Sequence, residues 1–193
     1  MKKILLLIAM MTATLCQAQN ASAIFNRTIA AYQKAGAVSA NYAMGSSHGT
    51  IVMKGSQFRI LANNLKAWYD GKTQWTYTTA TGEVNVTAPT SKELVMVNPL
   101  AAASALKTGY TMTAKKTGRS HVLILKPKKR SNVKAITLYI SSNYVLQKAV
   151  YTTKSRSETL KISNYKTHVA TSGSTFKFSR NMVPRGTEVV DLR

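Results

Sequence analysis

Six carboxylates, three histidines and one cysteine are the side chains that could carry acid–base, metal or thiol chemistry. Their spacing assembles none of it. Asp70, Glu83, Glu93, Glu158, Glu188 and Asp191 are scattered, and no motif nominates a pair for general acid and base work. Asp70 precedes a glycine, where a carboxylate serves a turn, and Glu188 and Asp191 lie near the C-terminus. His48, His121 and His168 stand singly, without metal-ligand spacing, and read as ordinary surface or strand histidines. There is no Gly-rich phosphate loop and no nucleophile elbow. The sequence therefore predicts no enzyme, no catalytic residue, no metal and no cofactor. What remains is binding through apolar and aromatic surface.

The single cysteine, Cys16, falls in a segment that reads as a leader. Lys2 and Lys3 begin it, Ile4 to Met11 is an apolar run, and Cys16-Gln17-Ala18 supplies small residues at a cleavage site. The run is too short to span a bilayer. Cleavage after Ala18 is the first expectation and after Ala23 the second. Acylation at Cys16 is a third reading, disfavoured because Leu15 is a poor residue before such a cysteine. Cleavage at Ala18 makes 1–18 a signal peptide and 19–193 one domain of about 175 residues. That domain has no cysteine and must be stabilised by an ordinary core. The expected product is soluble, exported to the periplasm and monomeric.

Lys and Arg number 27 against 6 Asp and Glu, a formal charge of +21. Such a field draws polyanions, anionic membrane surfaces and acidic partners. An exported protein rarely meets nucleic acid, so anionic lipid or an acidic protein is the expected partner and nucleic acid is not. Aromatics interleaved with lysine can stack single-stranded nucleic acid, but here they fall at period two, which points to core packing. Pro127-Lys128-Lys129-Arg130 reads as a solvated basic turn, with docking to an acidic surface as its second reading.

The elements that would position a binding surface are mostly strands. Asp70-Gly71 lies between two aromatic runs, Ala67 and Tyr69 before it, Trp75 and Tyr77 after it. That is a β-hairpin signal, since Gly tolerates positive φ and Asp bonds the turn backbone. The pattern predicts a helix over Asn20–Lys34 stopped by Gly36, and period-two pairs from Gly49 onward: Ile51/Met53, Phe58/Ile60, Trp75/Tyr77 and Val84/Val86. Asn98-Pro99 reads as a helix start, with a short Ala-rich helix over Leu100–Lys107 ended by Gly109. Further strands are predicted at Thr111–Lys115, His121–Lys126, Lys134–Ser141, Tyr144–Thr153, Thr159–Lys166 and Thr175–Ser179. The result is a mainly β fold: a strongly curved antiparallel sheet or unclosed barrel of about ten to eleven strands, with short helices on its concave face.

Five collinear motifs give this pattern a family likeness. Tyr69-Asp70-Gly71-Lys72-Thr73-Gln74-Trp75-Thr76-Tyr77 resembles a hairpin of the periplasmic outer-membrane lipoprotein carrier family (LolA-like). Gly49 to Lys54 with Phe58-Arg59-Ile60 resembles its early strand pair, and Asn98-Pro99-Leu100 its Pro-started lid helix. His121 to Lys128 is similar to a strand and turn of that family. Phe176-Lys177-Phe178-Ser179 with Pro184 to Val189 is similar to its closing strand. The resemblance implies an unclosed barrel whose apolar cavity holds the acyl chains of lipoproteins. It also implies an inner-membrane ABC transporter of the lipoprotein-releasing type as the loading partner and delivery to the outer membrane, where an outer-membrane acceptor or, from the basic charge, an anionic membrane surface is the expected partner. One departure is plain. Lys54-Gly55-Ser56-Gln57 stands where the family has an arginine before a Pro-Asn turn, so that lid latch is not carried over.

For the cavity wall the sequence nominates Ile51, Met53, Phe58, Ile60, Trp75, Tyr77, Leu94, Met96, Leu100, Ile136, Leu138 and Ile140. Which face of each strand is concave stays open at this level. Met53 and Met96 suit a pocket that takes varied chains, because methionine is flexible. Two other readings remain: the same fold carrying or sensing a different lipid or amphiphile, and a basic docking protein with a filled core.

Overall fold

The computed structural model describes residues 20–90, 93–94 and 103–193. The expected leader, Met96 and the Asn98-Pro99-Leu100 helix start lie outside the described residues. Helix α1 spans 20–34. It is followed by β1 (Ala37–Met44), β2 (Ser47–Lys54), β3 (Gln57–Ala62), β4 (Leu65–Tyr69), β5 (Gln74–Thr78) and β6 (Val84–Thr87). Helix α2 (Ala103–Gly109) leads into β7 (Tyr110–Thr117), β8 (Ser120–Pro127), β9 (Val133–Ile140), β10 (Leu146–Thr153) and β11 (Ser157–Lys166). A 3-10 turn (Arg180–Met182) and a short β12 (Val189–Asp191) close the chain.

The sheet has twelve strands, in the order β12-β6-β5-β4-β3-β2-β1-β11-β10-β9-β8-β7. It is two meanders, β1–β6 and β7–β11, zipped together by antiparallel pairing of β1 with β11. Only β12 is parallel to its neighbour, β6. The sheet does not close: β7 and β12 are its edges.

Helix α1 forms because its apolar residues recur at helical spacing. Ala21, Ile24, Phe25, Thr28 and Tyr32 make one buried stripe, and Gly36 ends it at φ +65°. Ala21, Ile24 and Phe25 of the stripe and Leu106 of α2 pack against Leu123, Leu125, Ile136, Leu138 and Ile140 of β8 and β9, whereas Tyr32 packs with Ala35 and Val38. Each such side chain contributes about 1.5–3 kcal/mol on burial. The opposite face of β4–β6 is covered by the C-terminal segment, with Phe178 edge-on to Trp68 at 5.5 Å.

Three local expectations are corrected. Strand β1 precedes Gly49, where the period-two pattern was expected to begin; its Ala, Ser and Asn residues carry weak strand propensity, and burial between β2 and β11 decides the matter. Thr175–Ser179 is not a strand: Phe176 and Phe178 are plugs in turn-rich backbone, held by Thr175 and Lys177 amides donating to Ser172 and Ser174 carbonyls. Tyr144 is not in β10 but in a turn, at φ 59°. The unclosed, mainly antiparallel sheet matches the expected fold class, with twelve strands among the described residues.

Candidate functional site

A cavity of about 320 Å³ lies between the C-terminal half of α1 and the inner face of the sheet. Its wall is built by strand parity. Directly paired residues share a face, so Ala40 of β1, Ile51 of β2, Ile60 of β3 and Ala67 of β4 form one cross-strand row. Tyr42 and Met44 continue it onto Ile162 and Leu160 of β11. From above, α1 contributes Thr28, Ala31, Tyr32 and Ala35, and the β9–β10 turn contributes Asn143, Tyr144 and Val145. None of the described lining residues carries a formal charge.

Small residues create the space. Ala31, Ala35 and Ala40 project only a methyl group. Gly49, paired with Tyr42 and Ala62, permits closer approach still: a Cβ there would collide with the Leu61 carbonyl and the Ala62 backbone.

The few polar atoms at the wall are used internally. Thr28 Oγ1 donates to the Ile24 carbonyl at 2.9 Å. Burial raises the phenol pKa of Tyr165, which stays protonated and uncharged. Tyr32 Oη donates to the Gly55 carbonyl in the β2–β3 turn at 3.0 Å. Arg27 Nη1 donates to Tyr144 Oη at 2.8 Å, and His121 stacks on the same ring with centroids 5.5 Å apart. Two side-chain bonds thus strap α1 across the cavity, one to each of two turns at the same end of the sheet.

Of the residues nominated from sequence, Ile51, Met53 and Ile60 line this cavity. Phe58, on the same face as Met53 and Ile60, and Leu94 belong to the same apolar cluster as that wall but do not line the cavity. Ile136, Leu138 and Ile140 lie on the inner face but are covered by α1 and α2. Trp75 and Tyr77 are placed on the outer face, with Trp68 and Val84 under the C-terminal segment. The reason is register: Trp75 pairs with Trp68, and Tyr69 with Gln74, so Trp75 and Tyr77 share the outer face with Trp68 while Tyr69 faces inward. Met96 and Leu100 lie outside the described residues. Sequence reasoning missed α1, β1 and β11 as wall elements. Leu160 and Ile162 do alternate at period two, which was a usable signal; nothing local marks β1.

Four of the six carboxylates have structural duties. Asp70 Oδ1 accepts from the Lys72 and Thr73 amides at 3.0 and 2.9 Å, shaping the hairpin turn. Glu93 accepts from the Thr90 amide and hydroxyl at 2.6 and 2.7 Å, a capping box that holds its pKa below the usual range. Glu158 pairs with Arg156 at 3.0 Å and Asp191 with Arg193 at 2.6 Å. Among the described residues no three of His, Cys, Asp and Glu gather.

A sequence model of the family described as outer membrane lipoprotein carrier protein LolA matches residues 11–158. No curated protein matches the sequence. Among solved structures, an uncharacterized conserved protein from Thermus thermophilus superposes with a TM-score of 0.63 at 13% identity, covering 89% of this chain and 99% of that one. A DUF1329 family protein from Desulfovibrio piger gives 0.49 at 13% identity, covering 85% and 99%. MucB in complex with MucA gives 0.49 at 14% identity, covering 83% and 60%. At 13% identity the Thermus likeness is one of fold.

Proposed function

The chain belongs to the outer membrane lipoprotein carrier protein LolA family, and on that premise we propose that it is an exported, soluble carrier that holds the acyl chains of lipoproteins in the cavity beneath α1. The observation that carries this is the cavity itself: about 320 Å³, uncharged, walled by Ile51, Met53, Ile60, Leu160 and Ile162. Acyl chains crossing water cost about 0.8 kcal/mol per methylene, so a ferry must offer an apolar lining in exchange. No bond is made or broken, and no cofactor is needed. Release follows when the destination binds the chains better than the cavity does.

In this reading the protein is loaded by an inner-membrane ABC transporter of the lipoprotein-releasing type. It delivers to an outer-membrane acceptor or to the membrane surface. The straps from Tyr32 and Arg27 hold α1 over the cargo, to the turn at Gly55 and to Tyr144. Ile51, Met53 and Ile60 touch the cargo directly.

The test is native mass spectrometry of protein purified from its own periplasm. A co-purifying acylated polypeptide is expected, and depletion should strand lipoproteins in the inner membrane. A small amphiphile alone, with lipoproteins sorted normally, defeats this reading. It would leave a second one, a carrier of another lipid on the same fold. Cavity size favours that alternative, because about 320 Å³ lies near the lower end of the roughly 300–1,000 Å³ typical of small-ligand sites.

A further inference from the structure

The β8–β9 and β10–β11 turns sit side by side at one end of the sheet, joined by the Lys154 amide donating to the Asn132 carbonyl at 3.2 Å. The end of α2 is tied to the same place, because the Lys128 amide donates to the Gly109 carbonyl at 2.9 Å. This rim carries Lys107, Lys128, Lys129, Arg130, Lys154 and Arg156, all exposed. Glu158 is the one carboxylate beside them, paired with Arg156. Asp70, Glu83, Glu188 and Asp191 belong to the β4–β6 and β12 half of the sheet, and Glu93 precedes α2. The rim's positive charge is therefore nearly uncompensated.

Such a rim has no fold-level purpose, since like charges on adjacent turns repel. It also lacks what a specific protein interface requires. Interface cores are built on buried aromatic and apolar anchors. The exposed large hydrophobics among the described residues are Leu61 and Leu192, on β3 and after β12, away from this rim. No exposed aromatic is available there for stacking bases. Charge without an anchor suits a diffuse anionic plane, which attracts any cation within a Debye length of about 8–10 Å.

We propose that this rim docks the protein onto an anionic bilayer surface, where cargo is taken up or released. The inference rests on the carrier reading above, and its test is separable from that reading. The probe is vesicles of phosphatidylcholine with about one third phosphatidylglycerol, pelleted with the full mature chain at low and high salt. Binding is expected to phosphatidylglycerol vesicles at low salt, to fall steeply with salt and to be absent on pure phosphatidylcholine. Each basic residue near such a surface strengthens binding about fivefold. Lys128→Gln, Lys129→Gln and Arg130→Gln together should therefore weaken it roughly a hundredfold. Lys34→Gln, Lys72→Gln and Arg185→Gln remove the same charge away from the rim and should cost less than about fivefold in total.

Equal losses in the two triple variants overturn the proposal, because net charge rather than the rim would then be responsible. So does salt-insensitive binding. Tighter binding of a short DNA duplex than of vesicles at the same salt also overturns it, replacing the bilayer with a polyphosphate. Displacement of a fluorescent acyl probe is measured on the same proteins. Probe binding without vesicle docking removes only this inference, and docking without probe binding removes only the carrier reading.

Discussion

Filling the cavity from the wall should shorten the acyl chain it accepts. Taking a methylene as about the size of the ~30 Å³ a liquid water occupies, a cavity of about 320 Å³ holds about ten. Affinity for a series of saturated fatty acids should then rise about fourfold per carbon, from 0.8 kcal/mol per methylene. It should level off at about ten to twelve carbons. Ala40 lies at the centre of the wall, paired with Ile51, and its methyl points into the space. Ala40→Leu adds three heavy atoms there, so the plateau should move about three carbons shorter. Affinity for chains beyond the original plateau should fall by about 2.4 kcal/mol, or about fiftyfold. Because the added atoms enter existing space, the melting temperature should not drop. Displacement of a fluorescent acyl probe, read by titration at each chain length, measures both numbers. A Kd that ignores chain length, or a plateau that Ala40→Leu leaves in place, refutes the assignment of this cavity as the acyl site.

Three other outcomes follow from particular contacts. Arg27→Ala removes one strap on α1 and Tyr32→Phe the other; each should speed probe release about fivefold, from about 1 kcal/mol per hydrogen bond, with little change in melting temperature. Release at the wild-type rate in the double variant, followed by stopped-flow dilution, would show that α1 does not gate the cavity. Gly49→Ala forces backbone apart at the Leu61 carbonyl and should cost about 1–3 kcal/mol, a drop of roughly 2–12 °C by calorimetry; an unchanged melt refutes the close approach. The indole Nε1 of fully buried Trp68 has no hydrogen-bond partner among the described residues. Trp68→Phe should therefore cost only the small void it leaves, about 1–2 kcal/mol, while Trp68→Ala costs about 3–5 kcal/mol, and equal losses in urea melts would mean that the N–H is satisfied.

What the sequence made legible was local, and what it hid was relational. The Asp70-Gly71 turn and the Asn20–Lys34 helix are written in short-range chemistry: an Asx carboxylate on two amides, a 3.6-residue stripe, a left-handed glycine stop. The facing of the hairpin is not. Tyr69 and Trp75 look equivalent along the chain, yet the four-residue turn Asp70–Thr73 sets the register that pairs Trp75 with Trp68 and sends it to the outer face. Ordinarily the outer face of an antiparallel sheet is solvated and would betray itself by polarity. Here the segment around Phe178, Met182 and Val183 covers it, so on β5 and β6 the apolar Trp75, Tyr77, Val84 and Val86 mark the outer face while Gln74, Thr76, Asn85 and Thr87 face inward, the reverse of what polarity ordinarily signals. Ile136, Leu138 and Ile140 are on the inner face, but a helix already occupies the space above them.

The cavity therefore depends less on which apolar residues are present than on where bulky ones are missing. Over β8 and β9, Phe25 and Leu106 fill the inner face. Over β1, β2 and β11, the helix turns Ala31 and Ala35 to the sheet, and the sheet answers with Ala40. Tyr32 and Tyr42 are large, but Tyr32 is drawn aside to Gly55 and Tyr42 Oη lies 3.3 Å from Ser47 Oγ, leaving the space between them open. A chain selected only for stability would fill that gap, because each unfilled methyl-sized void costs about 1 kcal/mol. A well-packed half beside a hollow one, under the same helix, is the arrangement expected when the hollow half is reserved for an apolar guest.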